Sequence, residues 1–285
     1  MIVDAHHHLW KLSAVHYPWL MEGKRRFFGD PAPIAQDYEL PDFRVDHGDA
    51  EVTASVHIQV GAAGPLAEAA WLAAHADAHD WPMAIVAAAD LTSPTLAAEL
   101  DALEQAAGGR LRGIRQIVAR HPAEDGADAG ALLRNPAFAC GLATLAARGL
   151  SFDLQLTAPL LAEAADLFAC VANLAVALCH CGSPWDDSAP AMAQWRSGLA
   201  AFARLPNAVA KISGLGMLCP MGNSATLVEG VLANFGPSRS MWGSNVPVDA
   251  LYRPWGALLA EAMAPVPASD RPAVFAETAR RFYRL

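Results

Sequence analysis

Met1-Ile2-Val3-Asp4-Ala5-His6-His7-His8-Leu9-Trp10 begins the chain with a short apolar strand, Ile2–Ala5, that runs straight into three histidines. Side chains alternate along a strand, so His6 and His8 share one face and His7 points away from it. Two imidazoles about 6–7 Å apart along a strand can bind one divalent ion. Surface histidines or a tag remnant are the plainer alternatives, but a tag would not follow an apolar strand directly after Met1.

The same rhythm, an apolar run followed by an Ala/Leu-rich stretch, recurs along the chain. The candidate strands are Ile2–Ala5, Thr53–Val60, Met83–Ala89, Leu111–Val118, Ser151–Leu156, Leu174–Cys179, Ala208–Ile212 and Arg239–Trp242. Runs that are apolar without alternation are those of parallel strands covered on both faces. Helix signals lie between them. Ser93-Pro94 and Asn135-Pro136 open helices, Pro65 precedes another, and Gly108-Gly109 and Gly149 end two of them. A last helix is expected over residues 271–285. Eight strand–helix units predict an α/β fold, a closed (β/α)8 TIM barrel in one domain over residues 1–285. No Gly-x-Gly-x-x-Gly follows the first strand, which removes the main nucleotide-binding alternative. Residues 11–46 are too many for an ordinary βα loop and are expected to form a rim or lid insertion.

The chain has 285 residues, 54% hydrophobic and 17% charged, which suits a deep core. Its net charge of −9, without a Lys/Arg-rich run, argues against nucleic-acid partners. Apolar stretches are interrupted within about ten residues, short of the roughly 20 a spanning helix needs, so no membrane partner is expected. The first residues lack the charged and apolar regions of a signal peptide. Five cysteines at irregular spacing read as reduced thiols in a cytoplasm. A homo-oligomer is compatible with all of this, and the subunit number stays open.

Reactive groups of such barrels sit at the C-terminal strand ends. Strand two ends in His57-Ile58-Gln59, whose first and last members share a face, as site groups or as satisfied core polars. Strand four carries Arg112-Gly113-Ile114-Arg115; a guanidinium there would clamp a carboxylate, polarise a carbonyl or form a rim ion pair. Gln155 follows strand five. Strand six ends in Cys179-His180-Cys181, whose histidine could ligate a metal or donate to a carbonyl. Cys-x-Cys lacks the second ligand pair of a zinc knuckle, so these thiols are read as core or wall residues. Strand seven contributes Lys211 and Ser213, and strand eight leads into Gly243-Ser244-Asn245-Val246-Pro247-Val248-Asp249.

These pieces, in this order and over nearly the whole chain, resemble the amidohydrolase-2 family and its lactonase-like branch. The match includes Asp4 to Trp10, Tyr17-Pro18-Trp19-Leu20, Gln59 with Glu68 and Trp71-Leu72, and Arg112 to Arg115. It continues through Phe152-Asp153-Leu154-Gln155, His180-Cys181-Gly182-Ser183-Pro184, Lys211 to Leu215, Phe235 to Arg239 and Gly243 to Pro247. The resemblance implies hydrolysis of a small carboxylated or sugar-acid lactone. It implies His6, His8 and His180 as ligands of one divalent metal, zinc first, with no organic cofactor. His180 would also polarise the lactone carbonyl. Arg115, Gln155, Gln59, His57 and Trp10 would surround the substrate.

In the family, strand eight ends in Gly-Ser-Asp-Trp-Pro, and the Asp is the general base. Here that position is Asn245, which with His180 and Asp249 makes up the expected catalytic group. A carboxamide cannot take a proton from water as a carboxylate does, and a positioned base contributes a factor of about 10²–10⁴. Asp249, Asp186, Asp187 and His57 are candidates for a relocated base. Ligand binding without turnover and decarboxylation are the competing readings.

Overall fold

Apolar runs buried on both faces become strands in chain order: β1 (Ile2–His7), β2 (Val52–Ile58), β3 (Met83–Ala87), β4 (Leu111–Ile114), β5 (Ser151–Leu154), β6 (Val176–Leu178), β7 (Ala208–Ile212) and β8 (Ser240–Trp242). All seven neighbouring pairs are parallel. The computed structural model describes residues 1–126 and 128–285. The β1 and β8 ends are joined just beyond the ladder. Asn245 N–H donates to His6 O at 2.7 Å, and His8 N–H donates to Val246 O at 2.8 Å. Gly243 permits this approach, because a Cβ there would stand 2.5 Å from His6 Cβ. The result is the expected (β/α)8 barrel.

The helices that cover the sheet are α1 (Leu40–His47), α2 (Pro65–Ala78), α3 (Leu96–Ala106), α4 (Pro136–Ala147), α5 (Leu161–Ala169), α6 (Ala189–Phe202), α7 (Ala225–Phe235) and α8 (Trp255–Met263). Their starts follow local chemistry. Asn135 Oδ1 accepts from Ala137 N–H at 2.9 Å with Pro136 in the first turn, a cap that typically contributes about 1 kcal/mol. The last stretch is helical over residues 271–283, close to the expected 271–285, with a π turn at Ala273–Glu277 leading into α9 (Thr278–Tyr283).

Between barrel and helices lies a layer that includes Leu72, Leu100, Leu142, Leu161, Trp195 and Phe202, all fully buried. Each contributes about 1.5–3 kcal/mol by leaving water. Inside the barrel, Val3, Val56, Val86, Val209 and Met241 pack together beneath Tyr283, which closes this end. Lys211 and Asp153 face each other in this interior, Nζ to Oδ1 2.5 Å, and the Tyr283 hydroxyl donates to the same oxygen at 2.8 Å.

The segment after β1 divides in two. Residues 40–47 form α1, the first barrel helix, so the rim insertion spans fewer residues than 11–46. Helix α1 is short and half polar (LPDFRVDH), so its periodicity is weak, and it is held by a capping box between Glu39 and Asp42 and by buried Leu40 and Phe43. The residues before it lie over the barrel mouth. Arg26 pairs with Glu124 at 2.8 Å, and Phe27 stacks on His121 with centroids 5.4 Å apart. Among the described residues no helix is long and apolar enough to cross a membrane, and the five cysteines are unpaired.

Candidate active site

The C-terminal ends of β1, β4, β5, β6 and β8 bring five predicted residues around one cavity of about 220 Å³: His8, Arg115, Gln155, His180 and Asn245. Trp19, Phe27, Phe28, Val60, Met217 and Val248 supply its apolar wall. His6 lies just beneath, its ring centroid 5.2 Å from His8 and 4.5 Å from His180. His7 points the other way, as strand alternation requires. It stacks on Phe43 and meets Ser55 Oγ at 2.9 Å.

His8 and His180 are oriented by their neighbours. His8 Nδ1 is 2.7 Å from Ile58 O, a pure acceptor, so Nδ1 carries a hydrogen. In the neutral ring Nε2 is then the basic atom, and it meets Asn245 Oδ1 at 3.1 Å. Asn245 Nδ2 donates to Asp249 Oδ1 at 2.8 Å. In the neutral ring the Nε2 lone pair therefore faces the amide oxygen, a contact that becomes a hydrogen bond only when Nε2 carries a hydrogen. His180 Nδ1 lies 3.0 Å from Ser213 Oγ, which also accepts from the His180 backbone N–H at 3.2 Å. If the hydroxyl donates to Nδ1, the hydrogen of His180 is on Nε2. His180 and Asn245 have φ of 50° and 58°, a region costly for most side chains and concentrated at functional sites.

Burial is the largest influence on all these rings and holds His6, His8 and His180 well below the ordinary histidine value, so they are neutral at pH 7. Lys211 adds to the effect at His6, and Arg115 at His8 and His180. Arg115 is buried. Its Nη1 donates to Gln155 Oε1 at 2.9 Å and Nη2 to Gln59 O, while Nε has no partner. Burial pushes the Cys179 and Cys181 thiols up to about 11 and about 12, and both lie in the core rather than on the cavity wall, so they are not nucleophiles.

Four predicted residues stand away from the cavity. His57 accepts from Leu9 N–H through Nδ1 at 3.1 Å and turns Nε2 toward Glu68, 3.8 Å away, so it cannot serve as base. Trp10 is buried with Nε1 donating to Gln36 O. Gln59 carries Arg115, through its carbonyl and through Nε2 donating to Arg115 O at 3.2 Å. Asp249 lies behind Asn245, where it also accepts from Gly216 N–H at 2.7 Å, and burial raises it to about 7. Asp186 and Asp187 are exposed outside the cavity. Sequence reading missed Arg26, Arg120, Phe27, Phe28 and Met217 as wall residues, because loop positions carry no periodicity that aims them.

The expected metal does not fit these residues as they stand. His6 leaves both ring nitrogens buried without a partner, as an absent ligand would. Yet among the described residues no group of three or more His, Cys, Asp or Glu is placed to hold an ion. Asn245 offers a neutral oxygen where a carboxylate would bring charge, and Lys211 and Arg115 add positive charge nearby.

The sequence matches the amidohydrolase family (Amidohydro_2) over residues 3–285. The chain belongs to the amidohydrolase family. This amidohydrolase is 35% identical to an uncharacterised protein of Sinorhizobium fredii, covering 100% of the chain and 98% of the relative. It is 31% identical to an L-fucono-1,5-lactonase of Burkholderia multivorans, covering 99% of the chain and 96% of that enzyme. A crystal structure of an amidohydrolase from Burkholderia multivorans with bound zinc superposes with a TM-score of 0.81 at 28% identity, covering 100% of the chain and 99% of that structure.

Proposed function

We propose that this amidohydrolase opens a small lactone by adding water to its carbonyl carbon. The observation that carries the reading is the pairing of two neutral histidines at one cavity: His8 with its basic Nε2 at the wall, and His180 held through Nδ1 by Ser213. In this reading His8 Nε2 takes the proton of the attacking water. Asn245 Oδ1 accepts the new N–H, and Asp249 holds the amide in that orientation. His180 Nε2–H and Arg115 face the charge that develops on the carbonyl oxygen. The protonated His8 then returns its proton to the departing ring oxygen as the carbon–oxygen bond breaks, so the hydroxyl of the added water ends on the carbonyl carbon and its proton on the alcohol of the hydroxy acid. Thus a base has moved from the strand-eight position to strand one, and no step needs a metal. The likeness to the fuconolactonase supports lactones as the substrate class. We also place the protein in a reducing cytoplasm, in keeping with its unpaired cysteines.

Proton release from a panel of sugar-acid and unsaturated lactones tests this. At least one should open faster than its buffer control. If none does while a ligand still binds, the barrel is a binding protein, the reading Asn245 favours; carbon dioxide released from an aromatic or muconic acid would make it a decarboxylase.

A further inference from the structure

A second group of buried polar atoms lies beside β2, outside the cavity wall and without a part in the hydrolysis. His57 Nε2 and Glu68 Oε1 stand 3.8 Å apart, and neither atom has a hydrogen-bond partner. The Tyr17 hydroxyl, from the segment over the barrel mouth, faces the same carboxyl and is likewise unpartnered. His57 and Tyr17 are fully buried, and Glu68, in the first turn of α2, is 2% exposed. A buried carboxylate is costly, and among the described residues His57 is its one neighbour within ion-pair distance.

This group touches the end of β1. The pairing of β1 with β2 is irregular between Asp4 and His7, and beyond His7 imidazole rings take part in it. His8 donates from ring Nδ1 to Ile58 O at 2.7 Å, and Leu9 N–H donates to His57 Nδ1 at 3.1 Å. On the other side His8 N–H donates to Val246 O at 2.8 Å. Leu9 is fully buried, so without His57 its N–H would have no water to turn to. The contact requires one tautomer. Nδ1 accepts only while it carries no hydrogen, which puts the ring hydrogen of His57 on Nε2, toward Glu68. A carboxylate facing Nε2 favours that tautomer. Burial and then the Glu68 charge hold the Tyr17 phenol well above its ordinary value, so it keeps its hydrogen and turns a second donor to the carboxylate.

We propose that His57, held in one tautomer by Glu68, is a positioning residue for His8. By accepting the Leu9 N–H it fixes the backbone immediately after His8, and so keeps the His8 ring at the cavity wall. The kinetic consequence rests on the lactonase reading with His8 as base, and the structural consequence does not. A misplacement of about 1 Å in a reacting group costs on the order of a hundredfold in rate. His57 thus has a part in the site although its ring does not line the cavity.

Two experiments keep those consequences apart. In the first, kcat and KM are measured on a lactone that the wild type opens. His57→Leu removes both ring nitrogens and should lower kcat by about 10–100-fold with KM within about threefold. His57→Asn, whose amide oxygen can still accept from Leu9 N–H, should recover most of the loss. A kcat within about twofold of wild type in His57→Leu, a loss carried by KM alone, or His57→Asn as slow as His57→Leu would overturn the proposal. The second needs neither turnover nor loss of the ring. Imidazole nitrogen shifts of the labelled wild type should place the hydrogen of His57 on Nε2 and that of His8 on Nδ1. Glu68→Gln should move the His8 resonances and speed exchange of the Leu9 amide by about tenfold. These results support the positioning even if no lactone opens and the hydrolase reading falls. A hydrogen on His57 Nδ1, or His8 and Leu9 unmoved by Glu68→Gln, overturns it even if lactones do open.

Discussion

Lys211 and Asp153 lie inside the barrel with Nζ and Oδ1 2.5 Å apart, and Tyr283 donates to the same oxygen. Nearer the mouth, His6 keeps both ring nitrogens without a partner, Arg115 keeps Nε free, and two strand ends turn through positive φ. Both regions bury polar groups fully. In the interior their charges cancel and a tyrosine seals them off. At the mouth they are oriented by hydrogen bonds on one side and left open on the other. A buried polar group without a partner costs about 1–3 kcal/mol. The interior leaves Asp153 Oδ2 without a hydrogen bond but matches its charges, whereas at the mouth the neutral His6 has no partner of either kind, the arrangement a ligand site would leave.

That contrast can be broken at either layer. The largest effect is expected at the mouth, where His8→Asn should lower kcat by about 10²–10⁴-fold with the fold intact. A loss under about tenfold, read by steady-state kinetics with circular dichroism as the folding control, would remove His8 as base. In the interior, Lys211→Met should cost about 3–5 kcal/mol by leaving Asp153 buried and unpaired, and adding Asp153→Leu should recover most of it. Urea unfolding checks both; a double variant as unstable as the single one would contradict the pairing.

The mouth should also set the pH response. His6, His7, His8 and His180 are held below the ordinary value of 6.5, mainly by burial. Below that pH the unfolded chain binds protons that the folded one refuses, so stability should fall as pH drops through about 6.5. Asp249, raised to about 7, has the opposite sign: it favours the fold in acid and loses that contribution as pH rises through 7. Four rings should outweigh one carboxyl, and Asp249→Asn should steepen the acid loss. Denaturant midpoints across pH 5–8 that stay flat would contradict this. The smallest effect expected is that of a chelator, which should leave the rate within about twofold because the donor set makes a poor metal site. Activity lost to chelator and restored by zinc would reverse that conclusion.

The strands were legible because burial on both faces leaves continuous apolar runs, but their ends were not. Leu111–Val118 reads as one run, whereas β4 stops at Ile114, with Arg115 still joined to β3 through its N–H to Ala87 O at 2.8 Å while its side chain enters the mouth. Hydrophobicity reports burial and is silent on pairing. Alternation correctly separated His6 and His8 from His7. It could not tell a mouth residue from one behind the wall, so His57, Gln59 and Trp10 were grouped with His8 although each is committed elsewhere. Arg120 lies in a loop, where no periodicity says which way a side chain turns.

Proton release on one lactone panel, comparing the wild type with Asn245→Asp, tests the central claim most directly. With His8 as base, the wild type opens at least one lactone and the aspartate variant gains less than about tenfold. Turnover confined to Asn245→Asp would contradict the account and leave a barrel that kept its cavity and lost its base.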